Sequence, residues 1–200
     1  MVALLELEDD RSRVRLVPDL GGAIADMDAK LSGRLAPVLR RWDGPQTGWI
    51  GVGSNILVPF SNRISGGGFY FDQGGSATFH PLHPNVENLD PFPLHGDGLL
   101  KSWQVVSHSS TDVILRLVNG EIGDFLYTAE VRYLLSSGTL NITLRVTNKG
   151  IRLPFGGGFH PWLPRYSDTR LQFNAEAVWL EDNLHLPTEQ IALKDYPEWD

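Results

Sequence analysis

The chain has 200 residues, of which 42% are hydrophobic, enough for one substantial core without a second domain. Its formal net charge of −7 and its 17 scattered Lys and Arg residues argue against a nucleic-acid partner, which requires clustered cations to neutralise phosphates. The lack of any cysteine excludes disulfides, thiolate metal sites and a cysteine nucleophile.

The N-terminal stretch, MVALLELEDDRSR, has a short apolar run, no basic start and acidic residues directly after the run. These are poor features for a signal peptide, and no apolar run elsewhere is long enough to span a membrane. We therefore expect a cytoplasmic protein with no membrane partner. We also expect one domain over residues 1–200.

Short segments with alternating apolar and polar residues, bounded by turn-forming residues, recur along the chain and predict β-strands. In chain order they are SRVRLVPD, AIADMDA, GGGFYFDQGG, WQVVSH, DVILRLV and RLQFNAEAVWLED. The alternation is plainest over residues 127–147, where two runs joined by SSG predict an antiparallel hairpin. The nearest approach to an amphipathic helix, ADMDAKLSGRLA, is interrupted by Gly33. The sequence thus predicts an all-β sandwich or barrel.

Two stretches rich in Gly and Pro, residues 51–68 and 81–98, also carry aromatic residues and leucines. We interpret them as ordered loops or bent strand ends, where β scaffolds usually hold their chemistry. The first includes SNRISGGG, in which Arg63 beside Asn62 offers forked donors for hydroxyl or carboxylate oxygens. A turn capped by Asn62 explains the same residues without a ligand, so both interpretations stay open.

The second stretch ends in LHGDG, where flanking glycines would let the backbone approach a ligand and aim the His95 imidazole into a cleft. A loop histidine that only hydrogen-bonds a carbonyl is the alternative. His80 and His83 also lie in this part of the chain, three residues apart. Because proline interrupts their segment and no third ligand is fixed, we do not predict a metal site.

A third stretch, PFGGGFHPWLPR, fits neither a good helix nor an ordinary strand. We expect its three glycines to adopt backbone conformations that a Cβ would block, and Pro161 to fix the chain after His160. Trp162 could lie flat against the C–H face of a sugar. Together these features favour a functional His160 over a structural one.

Taken together and in this order, NILVPFSNRISGGGFYF, LHGDG followed by Trp, and LPFGGGFHPWL resemble the aldose 1-epimerase (galactose mutarotase) family. RVRLVPDLGGAIADMDA looks like the opening strands of that family, so the resemblance covers essentially the whole chain. It implies an all-β, antiparallel β-supersandwich of the galactose mutarotase type, incomplete at its C-terminal end. It also implies a free hexose as ligand, with no cofactor and no metal.

Carried over position by position, the resemblance implies that Arg63 and Asn62 contact sugar hydroxyls and that His95 lies at the sugar. It further implies that His160 is the general acid of α-to-β anomer interconversion. In that reaction the anomeric hydroxyl loses a proton, the ring oxygen gains one, and the opened ring closes on its other face. A histidine suits this role because its ordinary pKa is about 6.5. Trp162 and the leucine after it replace the usual Tyr-Phe pair of the family but keep a stacking surface.

The catalytic glutamate of the family, and a substrate-binding aspartate, would fall beyond Asp200. We therefore expect this chain to belong to a longer protein and to show little activity by itself. Unpaired strand edges in a truncated sandwich would favour a homo-oligomer.

Three other functions remain open. One is a non-catalytic carbohydrate-binding β-sandwich that uses the same residues without opening the sugar ring. Another is an epimerase of hexose 6-phosphates, although Arg63 has no basic neighbour in its loop to help hold a phosphate. The last is a metal-dependent isomerase of the cupin kind, with His80, His83 and His95 as ligands. The preferred aldose is left unspecified, because specificity depends on individual hydroxyl contacts.

Overall fold

Antiparallel β-strands form the framework of the computed structural model, which describes residues 2–72, 74–86 and 89–196. The strands are β1 (Leu5–Glu8), β2 (Ser12–Val17), β3 (Ala23–Leu31), β4 (Arg34–Pro37), β5 (Ser54–Leu57), β6 (Gly68–Asp72), β7 (Ala77–Pro81), β8 (Gln104–His108), β9 (Asp112–Ile122), β10 (Phe125–Ser136), β11 (Thr139–Asn148), β12 (Gly158–Pro161), β13 (Ala177–Glu181) and β14 (Pro187–Ala192). Three short 3-10 helices, Pro45–Ile50, Gly98–Leu100 and Leu193–Asp195, are the only helices in the described ranges. None of them is long and apolar enough to cross a bilayer.

The all-β prediction is confirmed. The segments SRVRLVPD and AIADMDA form β2 and β3, and the hairpin predicted over residues 127–147 is β10 and β11. ADMDAKLSGRLA is the β3–β4 hairpin, whose turn residues Ser32 and Gly33 both have positive φ. Since glycine adopts such angles freely, Gly33 suits a tight turn between strands.

The chain divides into two compact units, Met1–Pro164 and Arg165–Asp200. In the first unit one sheet has the order β1-β2-β3-β5-β12, with β4 also paired to β3, and the other has the order β11-β10-β9-β8. The β6–β7 hairpin completes this unit. The β13–β14 hairpin belongs to the second unit. The expectation of a single domain over residues 1–200 stays a prediction.

The core of the first unit lies between its two larger sheets. Alternate residues of β10 are buried, as the alternating sequence predicts, and join residues of β1, β2 and β5 in one apolar cluster. Two tyrosines of β10 also bond across this core. The Tyr133 hydroxyl donates to the Gly22 carbonyl at 2.7 Å, and the Tyr127 hydroxyl donates to Asp97 Oδ1 at 2.6 Å. These contacts identify the unit as an antiparallel β-sandwich, which confirms the predicted fold class.

Charged residues on β2 and β3 pair across the strands. Arg13 lies opposite Asp28 and Arg15 opposite Asp26, with ion pairs of 2.8 and 2.5 Å. Both aspartates are fully buried, and Arg41 adds a second guanidinium to Asp28 at 2.7 Å. Burial by itself would raise the pKa of Asp28, but hydrogen bonds from Arg41 and Arg13 outweigh it and hold that pKa below its ordinary value.

The stretch over residues 154–165 differs from its prediction in two ways. Gly158–Pro161 is an ordinary antiparallel strand, β12, paired with β5. The expectation that a Cβ would be blocked is wrong for Gly156 and Gly158, since a Cβ would meet its nearest atom at 3.8 Å at Gly156 and nothing within 4 Å at Gly158. At Gly157 a Cβ would be tight, 3.2 Å from the Leu57 carbonyl oxygen. None of the three has a positive φ. The strand forms because β5 offers a free edge, an interaction that the local sequence does not reveal.

Candidate active site

A cleft of about 230 Å³ lies in the first unit. Its lining brings together residues from distant parts of the chain: Trp49, Ile50, Asn55, Arg63, Leu89, Asp90, Leu94, His95, His160 and Trp162. Apolar side chains make up half of this set, and the other half consists of an amide, a guanidinium, a carboxylate and two imidazoles. Such a combination of apolar walls and a few convergent polar groups is typical of a small-molecule site.

Arg63 is held in the cleft by an ion pair. Its Nε donates to Asp90 Oδ2 at 2.7 Å, and the Asp90 side chain is only 6% exposed. Nη1 donates to Asn62 Oδ1 at 3.3 Å. These contacts fix the plane of the guanidinium and leave Nη2 without a hydrogen bond to the described part of the chain, so it is available to a ligand oxygen.

Asp90 is a site residue that sequence reasoning missed. Its Oδ1 accepts a hydrogen bond from the Phe92 N–H at 3.0 Å while Oδ2 binds Arg63. An aspartate directly before a proline has an ordinary local explanation as a turn residue. The 27 positions that separate it from Arg63 are bridged only in the folded chain.

His95 is fixed by two hydrogen bonds to the backbone of Asn62. The His95 N–H donates to the Asn62 carbonyl, and the His95 Nδ1 accepts the Asn62 N–H, each at 2.9 Å. Because Nδ1 accepts, the neutral ring carries its proton on Nε2. The pKa of His95 is lowered to about 4, mainly by burial and to a smaller extent by nearby His160 and Arg63, while Asp90 opposes the shift. His95 is therefore a neutral hydrogen-bond donor at neutral pH.

Asn62 has a different place from the one expected. It lies beside the cleft with a positive φ, but it is absent from the residues that line the cleft. Its backbone positions His95 and its side-chain oxygen accepts from Arg63. The structure therefore brings Arg63, His95, His160 and Trp162 to one cleft. Asn62 lies outside the cleft lining and contacts two of these residues, Arg63 and His95.

His160 lies between two other rings. Its imidazole stacks on Trp162 with centroids 4.9 Å apart and an interplanar angle of 26°, and it meets the edge of His95 at 5.5 Å. The Arg40 guanidinium carbon lies 4.5 Å from the centre of the Trp162 ring. Trp162 thus orients the imidazole, and 40% of its surface stays exposed. Its use as a stacking face for a sugar stays a prediction.

Asn55 is a second site residue that the sequence reasoning missed. It belongs to β5, lies directly opposite His160 in the β5–β12 pairing, and is only 4% exposed. Its Nδ2 donates to the Trp49 carbonyl at 3.1 Å. The available signal was a lone amide in the apolar run SNILVPF, since a buried polar residue is more informative than a buried apolar one.

The candidate metal ligands do not come together. His80 is 3% exposed, bonds Asp124 Oδ2 through Nδ1 at 2.8 Å and stacks on Phe69. His83 is exposed, and neither residue lines the cleft that contains His95. Across residues 2–72, 74–86 and 89–196, no three His, Cys, Asp or Glu side chains are placed to hold a metal ion.

The sequence model of the aldose 1-epimerases matches residues 3–200, almost the entire chain. The chain belongs to the aldose 1-epimerase family. The resemblance inferred from the three motifs is therefore confirmed, and the cleft that contains Arg63, His95 and His160 is the candidate active site of an aldose 1-epimerase family member.

Two solved structures share this fold, and a further relative shares part of the sequence. A candidate aldose 1-epimerase from Escherichia coli K12 superposes with a TM-score of 0.85 at 33% identity, over 96% of this chain and 62% of the other. The GalM/aldose epimerase homologue from C. elegans shares the fold with a TM-score of 0.74 at 17% identity, over 98% of this chain and 62% of the other. The uncharacterized protein YphB of Escherichia coli K12 is 44% identical over 126 residues, 62% of this chain and 41% of YphB. The chain spans less than two thirds of the length of these relatives.

The depressed pKa of His95 predicts a pH dependence of stability in this aldose 1-epimerase family member. A histidine in the unfolded chain has a pKa of about 6.5, and His95 in the folded chain has a pKa of about 4. Between these values the unfolded chain binds a proton that the folded chain does not, so the contribution of His95 to stability is complete above about pH 6.5 and is lost as the pH falls to about 4.

His95→Asn isolates this contribution. Asparagine tolerates the positive φ of 60° at this position and can accept the Asn62 N–H, but it does not titrate. We expect the urea midpoint of the original protein to fall more steeply between pH 7 and pH 4.5 than that of His95→Asn. Parallel pH profiles for the two proteins would contradict the assigned pKa shift.

Proposed function

We propose that this aldose 1-epimerase family member binds a free hexose in its cleft and supplies the acid, without the catalytic base of the family, for the acid–base ring opening that interconverts the α and β anomers. The observation that carries the proposal is the convergence of Arg63, His95 and His160 on one cleft from three separate segments. A volume of about 230 Å³ favours a small ligand, since sites for drug-sized molecules measure roughly 300–1,000 Å³.

The geometry suits the parts of this reaction that need proton donors. His160 delivers a proton to the ring oxygen while the catalytic base of the family removes one from the anomeric hydroxyl, so that the bond between the ring oxygen and the anomeric carbon breaks and an aldehyde forms. Both proton transfers run in reverse when the ring closes on its other face. His95, neutral and protonated on Nε2, donates a hydrogen bond to the sugar. Arg63 offers its free Nη2 to hydroxyl oxygens, and Trp49 with Trp162 provides apolar faces for C–H groups.

A specific observation favours a second candidate, a carbohydrate-binding protein that does not open the ring. Asp90 is the only acidic residue among those that line the described cleft. Both of its oxygens are engaged, one by Arg63 and one by the Phe92 N–H, so it is poorly placed to remove a proton from the anomeric hydroxyl. Binding and catalysis therefore need separate measurements.

Polarimetry and calorimetry distinguish the two candidates. Freshly dissolved α-D-galactose and α-D-glucose are followed by optical rotation with and without the protein, and the equilibrated sugars are titrated into it. Saturable binding with faster relaxation supports the epimerase. Saturable binding without faster relaxation, even in a form of the protein that carries the catalytic glutamate of the family, supports the binding protein. The absence of both binding and faster relaxation contradicts both candidates. Arg63→Ala is expected to weaken binding about 10-fold or more, because a hydrogen bond from a charged group is lost. Arg116→Ala, which removes a surface pair with Glu130, is the matched control and leaves affinity unchanged.

A free monosaccharide as the partner, a cytoplasmic location and association into a homo-oligomer are parts of the same proposal. The cleft and the family membership support the acceptance of a hexose. The cytoplasmic location and the homo-oligomer remain predictions from the sequence.

A further inference from the structure

Two buried polar atoms on neighbouring side chains of the β5–β12 pairing make no hydrogen bond within the described part of the chain. Asn55 Oδ1 and His160 Nδ1 are both sealed from solvent, and neither has a hydrogen-bond partner among residues 2–72, 74–86 and 89–196. Their residues are direct partners in the antiparallel register, where facing Cβ atoms lie about 4.5–5.5 Å apart. An unpaired buried acceptor and an unpaired buried ring nitrogen on adjacent side chains form a complementary pair if the nitrogen carries a proton.

The orientation of the Asn55 amide is fixed by its other contact. Only an N–H group can donate to the Trp49 carbonyl, so the atom that makes this bond is Nδ2 and the unpaired atom is the oxygen. An amide oxygen can only accept a hydrogen bond, so any group that pairs with it must be a donor. A deprotonated Nδ1 beside it would place two lone pairs together in a buried site.

We propose that Asn55 is a positioning residue, whose Oδ1 accepts the proton on His160 Nδ1 and holds that ring in the Nδ1–H tautomer. For this hydrogen bond to form, the two neighbouring side chains must turn toward each other. The consequence is that Nε2, at the tip of the ring and not among the buried unpartnered atoms, is left as the nitrogen that gains and loses a proton.

The tautomer of His160 does not depend on the proposed function. Only the role of Nε2 in catalysis rests on it. With Nδ1–H held by Asn55, His160 protonated on both nitrogens gives its Nε2 proton to the ring oxygen of the sugar. The neutral ring that remains already has the lone pair on Nε2 that takes the proton back. The same nitrogen thus serves both directions of the reaction, and the ring does not have to turn over.

Two other histidines provide references with the opposite tautomer. His95 accepts the Asn62 N–H through Nδ1, and His108 bonds the Glu6 carbonyl through Nε2 at 3.2 Å, so each carries its proton on Nε2 when neutral. Free histidine side chains also favour the Nε2–H form. An Nδ1–H tautomer at His160 would therefore differ from the usual form, and it requires a specific hydrogen-bond acceptor for the Nδ1 proton.

The test is a long-range ¹⁵N–¹H correlation spectrum of the uniformly ¹⁵N-labelled chain at neutral pH without sugar. The His160 signals are assigned by their loss in His160→Gln. We expect the pattern of an Nδ1–H ring for His160 and of Nε2–H rings for His95 and His108. In Asn55→Leu, similar in size but without an acceptor, His160 is expected to revert to Nε2–H, while Asn55→Asp, which keeps an acceptor, retains Nδ1–H.

An Nε2–H pattern for His160 in the unaltered chain overturns the proposal, and so does a folded Asn55→Leu that keeps Nδ1–H. If Asn55→Leu does not fold, the unaltered chain and Asn55→Asp decide, and Nε2–H in either one overturns the proposal. None of these NMR measurements requires the protein to be catalytically active. A wrong tautomer would therefore not contradict the proposed function, and a lack of mutarotation would not contradict the tautomer.

Discussion

Replacing His160 by glutamine, in a form of the protein that carries the catalytic glutamate of the family, is expected to lower the protein-catalysed rate of anomer interconversion by about 10²–10⁴-fold, the usual contribution of one positioned acid or base. Glutamine retains an amide that can hydrogen-bond a ring oxygen, but it has no proton to transfer at neutral pH. Sugar affinity should change little by comparison, since Arg63 and His95 remain in the cleft. The change would thus fall on the rate at saturating sugar rather than on the apparent affinity.

Optical rotation of freshly dissolved α-D-galactose, corrected for the spontaneous reaction, measures this rate. His108→Gln is the matched control, because His108 is exposed, lies on β8, bonds the Glu6 carbonyl through its ring and is absent from the residues that line the described cleft. It should leave the relaxation unchanged. If His160→Gln relaxed the sugar as fast as the unaltered protein does, His160 could not be the acid.

The strands were predictable from the sequence where one face is buried and the other is wet. In β10 the alternation of apolar and polar residues indicates which face lies in the core, because the side-chain period of a strand is two. The core-facing residues are Tyr127, Ala129, Val131, Tyr133 and Leu135. β5 carries no such pattern, since all four of its residues are buried. β12 is four residues long and pairs only through β5, so a local sequence with three glycines and a proline did not indicate a strand.

The candidate site could be predicted only in part, for a related reason. Histidines and an arginine in glycine-rich loops are visible as motifs, and three of them, His95, His160 and Arg63, do meet in one cleft. The groups that orient them are not visible in this way. Asp90 reaches Arg63 across 27 positions, and Asn55 faces His160 across 105, through pairings that exist only in the folded chain. A supporting residue has an ordinary local explanation, as a turn or a buried strand position, until its partner is known.

Replacing Gly96 by alanine is expected to lower the free energy of unfolding by about 4 kcal/mol or more, among the largest effects of a single substitution. Gly96 has a φ of +74°, and a Cβ there would lie 2.1 Å from the Val58 carbonyl oxygen and 2.6 Å from the Pro59 nitrogen. Both are backbone atoms, so rotation of a side chain cannot relieve the contact. The segment is also held in place from its other side, because Asn85 Nδ2 donates to the Gly96 carbonyl at 2.6 Å.

Gly158→Ala is the matched control, since a Cβ at that position in β12 meets nothing within 4 Å and its φ is not positive. Its effect on stability should be within about 1 kcal/mol of zero. Urea unfolding followed by tryptophan fluorescence compares the two variants, and equal midpoints would contradict the assignment. Gly96 also follows His95, so any Gly96→Ala protein that folds must shift the backbone that holds the imidazole against Asn62. Loss of sugar binding in that folded fraction, with binding intact in Gly158→Ala, would show that the close approach of this backbone to Val58 is what places His95 in the cleft.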